Sequence, residues 1–277
     1  MDPFFQLREF DFTMPGLDRE YKLLHISDIH LAEWDVDCTP EEIAYGKEAT
    51  ASWEKGRFNF ARAFGDSVDE VHVIPLHGYL QKWIELANEI KPDVILCTGD
   101  LMERITSPNL RCLKEMLPRF EAPFLWVRGN HDSGEESEYI PFMGEHPAWQ
   151  VFRLGKLKLI LLDNSKKEIT ADQLAHLREE AEDGCLPVLA AHIPIRTEKN
   201  DAVMAKVGEY FTIAKDGAVP DTRAFLEYIT APECPISLFL CGHVHGCMIS
   251  QYAEGKTQLT ATSTMLGGGN IIRLLPQ

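Results

Sequence analysis

The sequence predicts an α/β fold built around mixed β-sheet, and three observations carry that prediction. Short apolar runs alternate with helical periodicity over most of the chain, and the part after Gly246 is nearly all strand-like. Five of the apolar runs end directly on Asp, Asn or His. In order, residues 22–27 (Lys-Leu-Leu-His-Ile-Ser) read as a buried strand. Leu80, Trp83, Ile84, Leu86, Ala87 and Ile90 recur at helical spacing over 80–90. Residues 93–97 and 123–127 read as strands, separated by a short helix over 110–117 that Pro118 stops. Residues 149–154 and 158–162 flank Gly155-Lys156 and read as a hairpin. Thr170 is the expected N-cap of a helix running to about 181. Strands over 186–191, 236–241, 247–252, 257–262 and 270–274 complete the series, and their density at the end suggests antiparallel ribs.

Composition narrows the function. The chain has 277 residues, 45% hydrophobic and 25% charged, with a net charge of −16. That apolar content excludes intrinsic disorder. The acidity disfavours long nucleic acid, which is held mainly by phosphate contacts, and an anionic membrane surface. The start, Met1-Asp2-Pro3-Phe4-Phe5, lacks a signal pattern, and no apolar run approaches the roughly 18 residues of a membrane span. Seven cysteines without a Cys-x-x-Cys argue against a disulfide framework, so a cytoplasmic location is expected. No repeat or low-complexity linker divides the sequence, which reads as one domain over 1–277 with an insertion at about 33–73. The insertion has ten acids and four bases, carries Trp34, Trp53, Phe58, Phe60 and Phe64, and has a helical stretch over 40–64. A second acidic stretch, 132–145, has five acids and no Lys or Arg.

Five motifs carry the chemistry: Asp28-Ile29-His30, Gly99-Asp100, Gly129-Asn130-His131-Asp132, His192, and Gly242-His243-Val244-His245. Each lies just past a strand-like run. Parallel neighbours would therefore present all five at one sheet edge, where α/β folds place ligands. Imidazole with carboxylate suits Mn, Fe or Zn better than Ca or Mg alone. Glycines before Asp100, Asn130 and His243 permit sharp turns and close backbone approach.

In this order the motifs resemble those of the calcineurin-like metallophosphoesterase superfamily, and most of all its class III cyclic-nucleotide phosphodiesterase-like branch. The resemblance runs from Asp28 to His245. It implies a four-layer α/β/β/α sandwich of two mixed β-sheets flanked by helices, with a binuclear metal site between the sheet ends. It implies that Asp28, His30, Asp100 and His245 bind one divalent ion. Asp100, Asn130, His192 and His243 bind the other, Asp100 bridging, and His131 is catalytic rather than a ligand. The implied function is metal-dependent hydrolysis of a small nucleotide-like or other phosphoester, foremost a phosphodiester, by a metal-bridging hydroxide. Phosphomonoesterase and nuclease activities belong to the same superfamily. A non-catalytic scaffold is the alternative from another class, disfavoured because all seven ligand positions and His131 are present. Two divalent ions against two carboxylates and a hydroxide leave about one positive charge, enough to attract phosphate locally.

The sequence also departs from relatives. Phosphoprotein phosphatases continue Gly-Asp-x-x-Asp-Arg-Gly, and here Glu103 is the candidate for the supporting acid while the Arg-Gly dipeptide is absent. Leu101, Met102 and Glu103 cannot supply the tyrosine of purple acid phosphatases. The remaining histidines, His25, His72, His77, His146 and His176, read as structural or surface residues. Arg196 is either a phosphate partner or a solvated surface residue. The insertion's aromatics are expected to form a satellite core, or else to cap the pocket. Cys241 and Cys247 read as buried strand residues, and Gly267-Gly268-Gly269 as a flexible turn.

Overall fold

A computed structural model of the chain describes residues 4–56, 63, 78–132, 139–140, 144–145, 148–207 and 211–277. The first sheet has five strands in the order β1 (Gln6–Thr13), β13 (Gly268–Leu275), β2 (Tyr21–Ile26), β3 (Val94–Cys97) and β4 (Phe124–Trp126). The second has six: β11 (Met248–Ala253), β12 (Lys256–Thr260), β10 (Leu238–Cys241), β9 (Leu186–Ala190), β8 (Leu157–Leu162) and β7 (Trp149–Leu154). A separate ribbon pairs β5 (Tyr139–Ile140) with β6 (Gly144–Glu145). Both large sheets are mixed. In the first, β13 runs antiparallel to β2 while β2, β3 and β4 are parallel. In the second, β8, β9, β10 and β12 are parallel, with antiparallel β7 and β11 at the edges.

Strand alternation makes four layers. Leu23, Val94 and Leu96 of the first sheet pack with Leu159, Val188 and Leu240 of the second, forming the core between the sheets. The opposite face of the first sheet, with Leu24, Ile26, Ile95 and Cys97, packs on helices α1 (Pro40–Gly56), α2 (Leu80–Ile90) and α3 (Ser107–Met116). The opposite face of the second, with Ile160, Leu189 and Phe239, packs on α4 (Ala171–Ala181) and α6 (Pro220–Thr230). A further helix, α5 (Glu198–Val207), sets Val203 and Met204 against Val244 and Met248. The four-layer α/β/β/α sandwich is thus present. The five motif strands do not share one sheet edge, however: β2, β3 and β4 lie in one sheet, β9 and β10 in the other.

Most element expectations hold within a residue or two. The helix over 80–90 has those bounds, and Thr170 caps α4 in a full capping box with Gln173. The helix expected from 110 starts at Ser107, where Thr106 caps it. Pro118 does not end it abruptly but sits in a 3₁₀ turn over Leu117–Arg119. Strand β1 and helices α5 and α6 went unread. Gly267–Gly269 is no flexible turn, because β13 begins at Gly268. A Cβ at Gly267 would collide with the Phe4 carbonyl oxygen, and one at Gly268 with the Thr262 side chain.

The insertion leaves and rejoins the scaffold at one place. The Glu33 carboxylate accepts from the Gly78 N–H at 2.7 Å, and the Glu33 N–H donates to Asn109 Oδ1 at 2.7 Å. Between these points α1 covers 40–56 of the expected 40–64, while Phe58, Phe60 and Phe64 lie outside the described residues. Tyr45, Ala49 and Trp53 of α1 pack on the helix-side core, as a satellite core would.

Candidate metal centre

The loop after β2 and the loop after β3 stay hydrogen-bonded beyond their strands. The Asp28 N–H donates to Gly99 O at 2.9 Å, the His30 N–H to Asp100 O at 2.9 Å and the Glu103 N–H to Leu31 O at 3.1 Å. The backbone there is nevertheless left-handed. Asp28, His30, Asp100, His243 and His245 have φ between 48° and 69°. They are five of the seven non-glycine residues with positive φ among the described residues, so this strain is concentrated at the site. Each costs on the order of 1 kcal/mol and must be held by its surroundings. Motif glycines permit the packing. A Cβ at Gly129 would collide with the Asp100 nitrogen and Oδ1, and one at Gly242 with Ser27 Oγ.

All eight predicted residues come together where the carboxyl ends of the two sheets face each other. Asp28, His30 and His245 offer ligand atoms within 4.8 Å of one another, and so do Asp100, His192 and His243. His245 Nε2 is 3.3 Å from Asp28 Oδ1 and 3.1 Å from His30 Nε2. Asp100 stands between the two groups, its Oδ2 3.2 Å from His192 Nε2 and 3.7 Å from His30 Nε2. Asn130 Oδ1 and His243 Nδ1 lie 3.0 Å and 3.1 Å from His192 Nε2. His131 sits beside the groups, its ring edge-on to His30 at 4.7 Å between centroids and 32% exposed. Its backbone N–H donates to Asp100 Oδ1 at 2.8 Å, which fixes that carboxylate.

The donor set fits a pair of cations. His192 Nδ1 faces the Thr98 carbonyl at 2.7 Å, an acceptor only, so Nδ1 holds the proton of the neutral ring and Nε2 presents a lone pair. That lone pair looks at an amide oxygen, a carboxylate oxygen and a second imidazole nitrogen. In the same way His30 Nδ1 donates to Glu103 Oε2 at 2.8 Å and leaves Nε2 facing His245 Nε2. Electron-rich atoms crowded this way repel one another unless positive charge lies among them. Asp28, His30 and His192 are fully buried, where uncompensated charge is costly.

Several contributing residues were not read from the sequence as such. Asp132 accepts from the N–H groups of Leu101, Met102 and Gly129 at 3.0, 2.9 and 2.9 Å, pinning the Asn130-His131 loop to the Asp100 loop. Asn164 Oδ1 accepts from the His192 and Ile193 N–H groups at 3.0 and 2.9 Å. Ser263 Oγ donates to the Asp28 carbonyl at 2.7 Å. Glu103 does take the place of a supporting acid, 3.4 Å from His131 Nδ1. Burial works against its charge, but His131 and His30 bring its pKa down to about 2. Burial likewise pulls His131 down, and the Glu103 and Asp100 carboxylates override it and lift it to about 9. Arg196 pairs with Asp201 at 2.7 Å, and Cys241 and Cys247 are buried as expected.

Layers, strand-end loops and paired acceptor clusters together form the kind of site that the sequence resemblance implies. A calcineurin-like phosphoesterase family model matches residues 21–247, and the chain belongs to that family. It is similar to a cAMP/cGMP dual specificity phosphodiesterase of Mycobacterium tuberculosis (strain CDC 1551 / Oshkosh), 27% identical over 226 residues, which is 75% of this chain and 60% of that protein. It is also similar to a "Probable cyclic nucleotide phosphodiesterase" of Synechococcus sp., 30% identical over 171 residues, 57% of this chain and 60% of that protein. The chain thus spans about 60% of the length of these curated relatives. Its fold is similar to a dimetal phosphatase from Danio rerio, with a TM-score of 0.52, 11% identity and coverage of 90% of this chain and 89% of that one. Among the described residues no helix is long and apolar enough to cross a membrane.

Proposed function

We propose that the chain hydrolyses small phosphodiesters, nucleotide-like ones foremost, at a centre of two divalent cations. Asp28, His30, Asp100 and His245 would hold one, and Asp100, Asn130, His192 and His243 the other, with Asp100 shared. Imidazole and carboxylate donors favour Mn, Fe or Zn. When bound, such a pair supplies Lewis acidity toward phosphoryl oxygens and makes water nucleophilic near neutral pH. The protein's own part is positional. Thr98 and Glu103 fix the tautomers of His192 and His30, and the His131 N–H fixes Asp100. His131, about a third exposed and a proton carrier beside Glu103, protonates the leaving oxygen. We read the chain as one domain with an insertion at about 33–73, acting in a reducing compartment such as the cytoplasm. Seven free thiols, four of them buried, favour that location.

The observation that carries the proposal is the crowding of lone pairs on two centres that meet at Asp100. The test strips metal with a chelator, restores Mn²⁺, and follows bis(4-nitrophenyl) phosphate, 4-nitrophenyl phosphate, cyclic AMP and single-stranded DNA. Diester hydrolysis that depends on Mn²⁺ and vanishes in Asp100→Asn is expected. His131→Ala should lose turnover while keeping two metals per chain, whereas Asn130→Ala and His192→Ala should lose metal. Mn²⁺-replete protein inert toward every ester would overturn the function, and equal metal loss in all three variants would overturn the division of roles.

A further inference from the structure

We infer that Trp53, on the insertion's helix α1, is a positioning residue of the metal centre, acting through Glu103. The inference rests on the two-cation reading above and adds to it a role for the insertion. The indole N–H of Trp53 donates to Glu103 Oε2 at 2.7 Å. The same oxygen accepts from His30 Nδ1 at 2.8 Å and lies 3.4 Å from His131 Nδ1. One carboxylate oxygen therefore serves a metal-facing histidine, the proton-carrying histidine and a side chain of the insertion. Rotation of this carboxylate would release both imidazoles together, and an indole N–H, which can only donate, holds it against that rotation.

The Trp53 ring is also placed over the centre. Its centroid is 4.5 Å from His30, 5.2 Å from His245 and 6.2 Å from His131. The insertion also touches the neighbourhood of the centre through Ala63, which packs on the cluster of Val203, Met204, Val244 and Met248, and Val244 separates His243 from His245. Two described points of the insertion thus reach the surroundings of the site, Trp53 directly and Ala63 through Val244. An insertion serving only as a surface appendage has no reason to place an indole donor on the carboxylate that aims two site histidines.

Two measurements test this. Mn²⁺ is paramagnetic and quenches a nearby indole, so titrating metal-stripped protein should quench part of its tryptophan emission, and Trp53→Phe should remove that part. Quenching that is undiminished in Trp53→Phe overturns the inference while leaving the hydrolase reading intact. Conversely, a wild-type protein quenched through Trp53 but inert toward every ester sinks the hydrolase reading and keeps this one. In steady state, Trp53→Phe keeps the ring and loses the N–H, and should lower kcat on an aryl phosphodiester roughly tenfold with KM little changed. In a Glu103→Gln background the same change should cost less than twofold, because the carboxylate it orients is gone. A full tenfold loss in both backgrounds overturns the inference. If Trp53→Phe does not fold, Trp53→Leu, which also lacks the N–H, replaces it in both measurements with the same criteria.

Discussion

His25 and His30 are both fully buried, five positions apart, and their partners give them opposite roles. His25 Nε2–H donates to Thr98 Oγ1 at 2.9 Å and its Nδ1 accepts from Asn270 Nδ2 at 3.2 Å, so both nitrogens are satisfied inside the fold. His30 has one nitrogen satisfied by Glu103 and the other aimed at the centre. Burial pushes the His25 pKa down to about 3, against an ordinary 6.5 in the unfolded chain. The unfolded state therefore gains a proton first as pH falls. Stability from neutral His25 is complete above about pH 7 and declines by up to about 1.4 kcal/mol per pH unit between about 6 and 3. Denaturant unfolding should show this slope in the wild type and a shallower one in His25→Gln; parallel slopes refute it. At this scale the sequence was legible where residues chemically announce themselves. Asp28, His30, Asp100 and the His243–His245 pair could be found by type and spacing. Asp132, Asn164, Ser263 and Trp53 could not be given their roles, because each role is a contact with a partner distant in sequence.

Elements were legible in proportion to how local their causes are. Helix α4 declares itself through Thr170 and Gln173, whose reciprocal side-chain bonds to the first turn need nothing from the rest of the fold. Thr170→Ala should cost about 1 kcal/mol in chemical denaturation without changing metal content. A cost near zero would mean that tertiary packing alone sets the helix start. Strand β1 is the opposite case. Its residues, Gln-Leu-Arg-Glu-Phe-Asp-Phe-Thr, are mostly half-exposed or exposed, and its partner β13 lies at the far end of the chain. Helix α6 had a signal that went unused: Pro220 at the first turn followed by Phe225, Leu226 and Ile229 on one buried face. Helix α5 offers a weaker one, since the buried apolar residues of its described part are Val203 and Met204.

For the whole molecule, periodicity separated strands from helices but could not divide the strands between two sheets. Leu23 and Leu240 look alike in sequence, yet they are core residues from opposite layers that meet face to face. The four-layer arrangement came from the resemblance, and packing accounts for it: sheet strands buried on both faces need cover on each side. The same arrangement couples metal to stability, because the clusters draw on loops from both sheets. Mn²⁺ at about 100 times its dissociation constant should stabilise the fold by about 2.7 kcal/mol for each ion bound. For a chain of this size that corresponds to roughly 5–10 °C in Tm, lost on adding chelator. Calorimetry with no such difference would mean that Mn²⁺ does not bind the folded chain in preference to the unfolded one.

The closed neck at Glu33 and Gly78 has an evolutionary corollary. A polypeptide detour that departs and returns through one doorway can be exchanged as a cassette without re-threading anything beneath it. A different roof, spliced between the same two posts, would keep the strand-end loops where they are and change what hangs over them, the indole that steadies Glu103 included. Variation among such proteins should then accumulate as replaced canopies, with the floor beneath kept nearly still.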